Sequence, residues 1–457
     1  MTKTEKIIDF VLDQISKKIW IDGSRLPSVR QLAHQMNCSV STVVEAYARL
    51  VAEGVLESRV GSGYYVLAPR VHYHIIEQEL SYHREVDPLW ISKQSLEAKS
   101  NILKPGCGWL PEGWMPEQAI RKALKLVAKS ETALLMNYAL PHGHLALRQY
   151  IARKKEIYDL HLHPNQILLT ESATNSIDLI FRHILQAGDI ILVDDPCYFN
   201  FSALIKTHQL KAIAIPYTKH GPDIEKFAQA LVFKPKLYLT NAGIHNPTGA
   251  VLSLQTAYQI AKLAEKNNLL IVEDDIFSEF EYTPAPRYAS LSGFDHVIQI
   301  GSFTKTLSAA IRCGYIISNL DLIDQLIDLR ISTNFSANNL NAEIIYQALM
   351  DPSYPKYVEW LKKQLNKTTK DTIQKLAILG IQPWIIPKAG IFIWCKLPDR
   401  IEASKLSQLC LQKNVILAPS KAFSQSQSTD EYMRFNVAHC IDKKVFDILG
   451  DAIQALK

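Results

Sequence analysis

Five polar clusters in this 457-residue chain each come directly after, or close, a short apolar run rich in β-branched residues. Ser172-Ala173-Thr174 follows "QILLT", and Asp194-Asp195-Pro196-Cys197-Tyr198 closes "DIILVDD". Asn241 to Gly249 follows "KLYLT", Asp274-Asp275 closes "LLIVEDD", and Ser302 to Lys305 closes "HVIQIGS". Such runs, each followed by a helical stretch, predict a mostly parallel sheet covered on both faces. Ligands of such sheets gather beyond the carboxyl ends of the strands, so the five clusters are expected to meet. A lysine in that company suggests a Schiff base to an aldehyde cofactor. Pyridoxal 5'-phosphate asks for an amine, a carboxylate for its ring nitrogen, a phosphate cup and a flat neighbour for its ring. Lys305 supplies the amine. Asp274 is placed to pair with the pyridinium and keep the ring an electron sink. Asn246 of "HNPTG" can hydrogen-bond the ring hydroxyl, and Tyr198 can stack on the ring. Ser302 and Arg312 can hold the phosphate, the arginine as a charge-assisted fork. Ala173 and Thr174 open a helix whose free N–H groups favour phosphate as well. Each residue alone is a weak signal: a lone lysine is usually solvated, and a lone Asn-Pro-Thr-Gly is a turn. The ordered set carries the reading. Cys197 and Cys313 read as small fillers, having no histidine partner, and His245 reads as local scaffolding.

Length and composition set the frame for these residues. The chain is long enough for two or three domains, and 47% of it is hydrophobic and 21% charged. No apolar run reaches the roughly 18 residues of a membrane helix, and the acid-bearing N-terminus is not a signal peptide. The seven cysteines form no C-x-x-C pair, which predicts reduced thiols in a cytoplasm and no metal site. Nine Lys/Arg against seven Asp/Glu in residues 1–70 leave a net charge of only +2. Charge therefore does not mark that region as a nucleic-acid binder; its pattern does. Helical periodicity covers residues 4–19. Ser28 and Gln31 form a capping box for a second helix running to about Met36, and Ser39 can cap a third, closed by Gly54. "VLESRVGSGYYVLA" then reads as a hairpin. Helix, short helix, turn, helix, hairpin is a winged helix-turn-helix.

The stretches "LPSVRQLA", "SVSTV", "EG" and "GSGYYV" resemble the GntR-type winged helix over residues 15–66. The resemblance implies that Arg30, Ser39 and Thr42 contact phosphates or base edges of double-stranded DNA, with Arg49 and Gly61 in support. Val40 stands where members often carry arginine. From about residue 101, "NYALPHGHLALRQYIA", "HNPTG", "EDD", "SFTKTLSAAIRCGY", "PKAGIFIWCKLP" and "MRFNVA" resemble the fold type I aminotransferases. That resemblance implies that Tyr138 reaches the phosphate in the other subunit's site and that Arg434 grips a substrate or effector α-carboxylate. Two departures stand out: Ile276 and Phe277 occupy the positions of a usual tyrosine, and "TESATNS" lacks a usual glycine, with Ser172 in its place. The joined halves are similar to the MocR subfamily of bacterial transcription regulators. The expected architecture is α/β, with an N-terminal winged helix at 1–70, a semi-structured linker at 71–100, and an aminotransferase-like effector and dimerisation domain at 101–457. The resemblance implies a homodimer, head-to-tail, that senses pyridoxal phosphate or an amino compound through an internal aldimine. The competing functions are an aminotransferase acting on an amino acid, and a DNA-binding protein whose large domain is only a scaffold.

Overall fold

Thr2 and Glu5 cap each other's backbone at the start of α1 (Lys3–Ser16), and Ser28 and Gln31 do the same for α2 (Val29–Gln35). The Ser39 side chain accepts from the Thr42 amide at the start of α3 (Val40–Ala52). These caps satisfy the amides that a helix start leaves without intrahelical acceptors. Gly54 follows α3 with φ 73°, the left-handed geometry of a helix stop. β1 (Leu56–Arg59) and β2 (Gly63–Val66) then pair antiparallel, Leu56 opposite Val66. Ile7, Val11, Leu32, Val43, Ala46, Tyr47 and Leu50 close one core, where each fully buried aliphatic contributes roughly 1.5–3 kcal/mol. The Tyr47 hydroxyl donates to the Pro27 carbonyl at 2.9 Å, so the phenol is buried without an orphaned group. This is the expected winged helix-turn-helix. α1 stops at Ser16 rather than residue 19, because Lys18 turns left-handed at φ 58°.

The structure is a computed structural model and describes residues 2–67, 88–97, 101–241, 243–426 and 430–457. The chain divides between residues 82 and 83 into two compact units. Of the expected linker, residues 71–87 and 98–100 lie outside the described residues. The remainder forms α4 (Pro88–Glu97), an element that weak periodicity did not predict. Packing decides it: Ile91 is buried with Phe199, Trp394 and Phe423, and tertiary contacts override local preference.

The larger unit is built on an eight-stranded sheet of order β3-β10-β9-β8-β7-β4-β5-β6. Its strands are β3 (Ile167–Thr170), β4 (Ile190–Asp195), β5 (Lys211–Thr218), β6 (Gly221–Pro222), β7 (Leu237–Asn241), β8 (Leu270–Asp274), β9 (Val297–Ser302) and β10 (Gly314–Ile317). The five strands β4, β5, β7, β8 and β9 run parallel; β10 runs antiparallel between β3 and β9. Alternate residues serve opposite faces. Leu239 and Val272 enter one core with Ile177 and Phe181, while Tyr238 and Ile271 enter another with Ile260 and Ala264. The expected two-sided, mostly parallel sheet is observed. A second sheet, β11-β12-β14-β13, is antiparallel and comprises β11 (Gln382–Pro383), β12 (Phe392–Lys396), β13 (Ala418–Pro419) and β14 (Tyr432–Asn436).

Gly314 shows how closely the sheet supports the site. A Cβ there would lie 2.5 Å from the Ser172 carbonyl carbon and 2.7 Å from the Ala173 nitrogen. These are backbone atoms that cannot rotate away. Gly314→Ala is therefore expected to destabilise the protein by about 1–3 kcal/mol, read as a lowered midpoint in thermal unfolding.

Candidate functional site

Four of the five strand-end clusters supply residues to one cavity, and Asn241 of the fifth reaches it only through Asp274. A cavity of about 450 Å³ is lined by Lys305, Asp274, Ser302, Arg312, Tyr198 and the segment Ser172–Thr174. Asp274 ends β8 and Ser302 ends β9. Ala173 and Thr174 begin the helix Ala173–Ile184, which Ser172 caps by accepting from the Asn175 amide. Arg312 is exposed and makes no ion pair among the described residues. The Ser302 hydroxyl lies 2.8 Å from the Thr304 hydroxyl and donates to the Cys313 carbonyl at 3.1 Å.

Two groups are shifted toward neutrality, and burial is the leading cause for both. The Lys305 amine donates to the Gly108 carbonyl at 2.6 Å. Burial first and Arg434 second bring its pKa down to about 8, with Asp274 opposing. The Asp274 carboxylate accepts from Asn241 Nδ2 at 3.0 Å and from the Ile276 amide at 3.3 Å. Burial still raises it to about 7. An amine with that pKa is a nucleophile near neutral pH, and a carboxylate with that pKa can take or release a proton there.

Other expected site residues lie apart from the cavity wall. Asn246 and Arg434 are buried, and Arg434 has no exposed surface. Arg434 donates to Asn246 Oδ1 at 3.0 Å and to the Gly106 carbonyl at 2.7 Å. Its guanidinium also lies 4.1 Å from the Phe392 ring centroid and 4.6 Å from that of Phe423. Burial lowers its pKa to about 10. Tyr138 is 79% exposed and meets Phe335 edge-on at 4.8 Å; it does not line this cavity. His245 is scaffolding, as expected: it stacks on Tyr217 at 3.6 Å, and its Nδ1 lies 2.8 Å from the Thr248 hydroxyl. Cys197 and Cys313 are buried fillers.

Sequence reasoning missed several participants. Gly108, Trp109 and Lys104 come from "LKPGCGWL", which has neither strand nor helix periodicity; its only signal is paired glycines. Gly106 is one of them, and a Cβ there would lie 2.5 Å from the Leu417 backbone. Ser95 and Leu96 of α4 also line the cavity. Asp275, beside Asp274, has its partners elsewhere in the chain. Fully buried, it pairs with Lys155 at 2.5 Å and with Arg287 at 2.8 Å, and Arg287 reaches Glu281 at 2.7 Å.

In the smaller unit Arg30, Ser39 and Gly61 are exposed and Thr42 is half-buried. The Ser39 hydroxyl lies 2.9 Å from that of Ser41 and 2.6 Å from that of Thr42, so a hydroxyl cluster marks the start of α3. Arg49 pairs with Glu45 and sits ten residues further on, about 15 Å along the helix. It belongs to the other end of α3. Two arginines missed by pattern flank the wing: Arg25 bridges to Tyr65, and Arg59 lies 4.4 Å over the Tyr65 ring.

The profile of the family described as "Aminotransferase class I and II" matches residues 111–452. The chain belongs to the aminotransferase class I and II family. Ahead of that match, the profile "Bacterial regulatory proteins, gntR family" covers residues 3–66. This family member thus joins a GntR-type helix-turn-helix to an aminotransferase-like domain, the architecture of MocR-type transcription regulators. It is 27% identical to the uncharacterized HTH-type transcriptional regulator YdcR of Escherichia coli, over 96% of this chain and 95% of that protein. It is 27% identical to the HTH-type transcriptional regulator NorG of Staphylococcus aureus, over 86% and 91%. Among solved structures, the α-aminoadipate aminotransferase LysN of Thermus thermophilus matches with a TM-score of 0.72 at 20% identity, over 80% of this chain and 95% of that one. The kynurenine aminotransferase of Pyrococcus horikoshii matches with a TM-score of 0.72 at 22% identity, over 80% and 93%. These structures share the aminotransferase fold. Among the described residues no helix is long and apolar enough to cross a membrane, and no group of three or more His, Cys, Asp or Glu is placed to hold a metal ion.

The electrostatics of this family member's cavity predict a pH profile. Lys305 is protonated below its pKa and reacts only when neutral. Its reductive methylation in the ligand-free protein, followed by peptide mass spectrometry, should rise with pH through a midpoint near 8. Asp274→Asn removes a charge that favours the ammonium form and should lower the midpoint. Arg434→Met removes one that disfavours it and should raise the midpoint.

Proposed function

We propose that the larger unit binds pyridoxal 5'-phosphate through Lys305, and that the cofactor, or an amino compound condensing with it, sets how the winged helix engages double-stranded DNA. The observation that carries this reading is one cavity holding a lysine with pKa about 8, a buried carboxylate at the end of β8, an exposed arginine with no ion pair among the described residues and a capped helix start. The residues present fit the cofactor. When bound, it supplies an aldehyde and an electron-poor ring. Lys305 offers the neutral amine, and Asp274 holds the ring-nitrogen proton. A cation beside Asp274 would draw its pKa back down, so the carboxylate would be ionised when the site is filled. Arg312, Ser302 and the amides at Ala173 and Thr174 hold the phosphate, and Tyr198 gives the ring a flat neighbour. Asn246 is the residue for the ring hydroxyl. With Ile276 and Phe277 where a tyrosine is usual, that hydroxyl loses a usual donor. Arg434 is the anchor for the carboxylate of an amino-compound effector.

Tyr138, exposed and outside its own cavity, is left to reach the site of a second subunit in a head-to-tail homodimer. Two winged helices per dimer call for paired half-sites. Arg30, Ser39 and Thr42 contact the DNA, Gly61 brings the wing close to the backbone, and Arg49 supports from the far end of α3. The protein works in the cytoplasm. A second reading, slow amino-acid transamination, draws on the same intact set of Lys305, Asp274 and Arg434; keto-acid release from a panel of amino acids tests it.

Binding of purified protein to DNA upstream of its own gene, at fixed salt, with and without pyridoxal phosphate, tests the regulator. A tenfold or larger change in affinity is expected, equivalent to a coupling of about 1.4 kcal/mol. No specific binding in either state would sink the reading. The same protein should develop a visible absorbance band with the cofactor, and Lys305→Ala should abolish it.

A further inference from the structure

Arg330 is a buried charge that the Lys305 cavity does not use. It belongs to the helix Leu320–Asn334 and is 1% exposed. Its Nη1 donates to the Leu169 carbonyl at 2.6 Å. Nε and Nη2 find no acceptor among the described residues, and no carboxylate there comes within ion-pair distance. These two nitrogens share the edge of the guanidinium that presents two parallel N–H bonds, the fork that matches a carboxylate. Burial lowers the pKa of Arg330, with Glu171 opposing from beyond contact distance. A buried polar group without a partner calls for a physical account.

Arg330 lines a cavity of about 230 Å³ together with Glu171, Asn175, Thr333 and Asn334. Two acceptors in this wall are also buried without a partner, Glu171 Oε2 and Asn175 Oδ1. The other Glu171 oxygen is held by Asn334 Nδ2 at 3.0 Å. The remaining charges are satisfied, since Asp178 takes both Arg182 and His208. What is left is one donor fork and two acceptors around a space several times the roughly 30 Å³ of a water.

We propose that this cavity is a second small-molecule site, for a free α-amino acid. Its carboxylate lies on the Nε–Nη2 edge of Arg330 and its ammonium between Glu171 and Asn175. The inference stands whether or not Lys305 takes a cofactor. It also places the site next to the larger cavity: Ser172–Thr174 line that cavity, while Glu171 and Asn175, on either side of them, line this one. A ligand that orders Glu171 and Asn175 orders the segment between them.

The test is calorimetric titration of the full-length protein, stripped of cofactor, with glycine, L-alanine, acetate and methylamine. One or both amino acids should bind with a Kd in the millimolar range or tighter. Acetate and methylamine, each carrying one charge, should bind at least tenfold more weakly. Glu171→Gln and Asn175→Ala should each weaken amino-acid binding about tenfold. Arg330→Met should abolish it; because that change empties a buried position, the partly exposed Glu171→Gln is the deciding variant. No binding of either amino acid at about 10 mM overturns the site. So does binding that survives Glu171→Gln but vanishes in Arg434→Met, which would put the ligand at the Lys305 cavity. Acetate binding as tightly as glycine overturns the zwitterion assignment.

Discussion

The larger unit is organised around the mutual dependence of charges withdrawn from water at the carboxyl ends of β8 and β9. Lys305 and Asp274 each lean toward their neutral forms because desolvation outweighs their attraction, while Arg434 adds a like charge that makes the lysine easier to deprotonate. Such an arrangement holds only if the groups cannot drift apart or admit bulk water. The surrounding structure supplies that rigidity. Asn241 and the Ile276 amide fix Asp274, and the buried Lys155–Asp275–Arg287–Glu281 chain fixes the residue beside it. Removing one partner from that chain would leave an uncompensated buried charge, a loss of about 3–5 kcal/mol. The second aspartate of "EDD" thus serves the first.

The sheet and the glycines set the distances. Gly314 lets β10 press against the start of the Ala173–Ile184 helix, and Gly106 lets the Cys107–Trp109 segment close over the lysine from the other side. A helix start carries partial positive charge and free amides; here it is held against the strand ends by backbone contact rather than by long side chains, so its position follows the sheet. In the smaller unit the same economy appears at α3, where one serine caps the helix and also gathers the hydroxyls of Ser41 and Thr42.

Much of this could be read from the chain itself. Caps, periodicity and the glycine stop gave the winged helix, because each is a local rule acting within a few residues. The strand-end clusters gave most of the cavity, because a doubly covered parallel sheet leaves its ligands one place to go. What escaped depends on contacts distant in sequence. α4 owes its existence to Phe199, Trp394 and Phe423, which lie about a hundred residues or more away. Gly108 meets Lys305 across 197 residues, and Arg434 meets Gly106 across 328. Arg330 sits in no motif, and Glu171, although inside "TESATNS", gave no sign of a role; their unspent hydrogen bonds exist only once the helix Leu320–Asn334 has packed.

The enclosure of Arg434 would make carboxylate capture at its Nη groups an exchange rather than an addition. Its two Nη groups are already engaged, by a carbonyl and by an amide oxygen, and three aromatic rings flank it. Its Nε, by contrast, is buried without a partner among the described residues, so an incoming anion trades bonds only where it takes an Nη group. A ligand carboxylate there would meet three rings and two filled Nη groups, and its remaining contacts would decide which carboxylate is held.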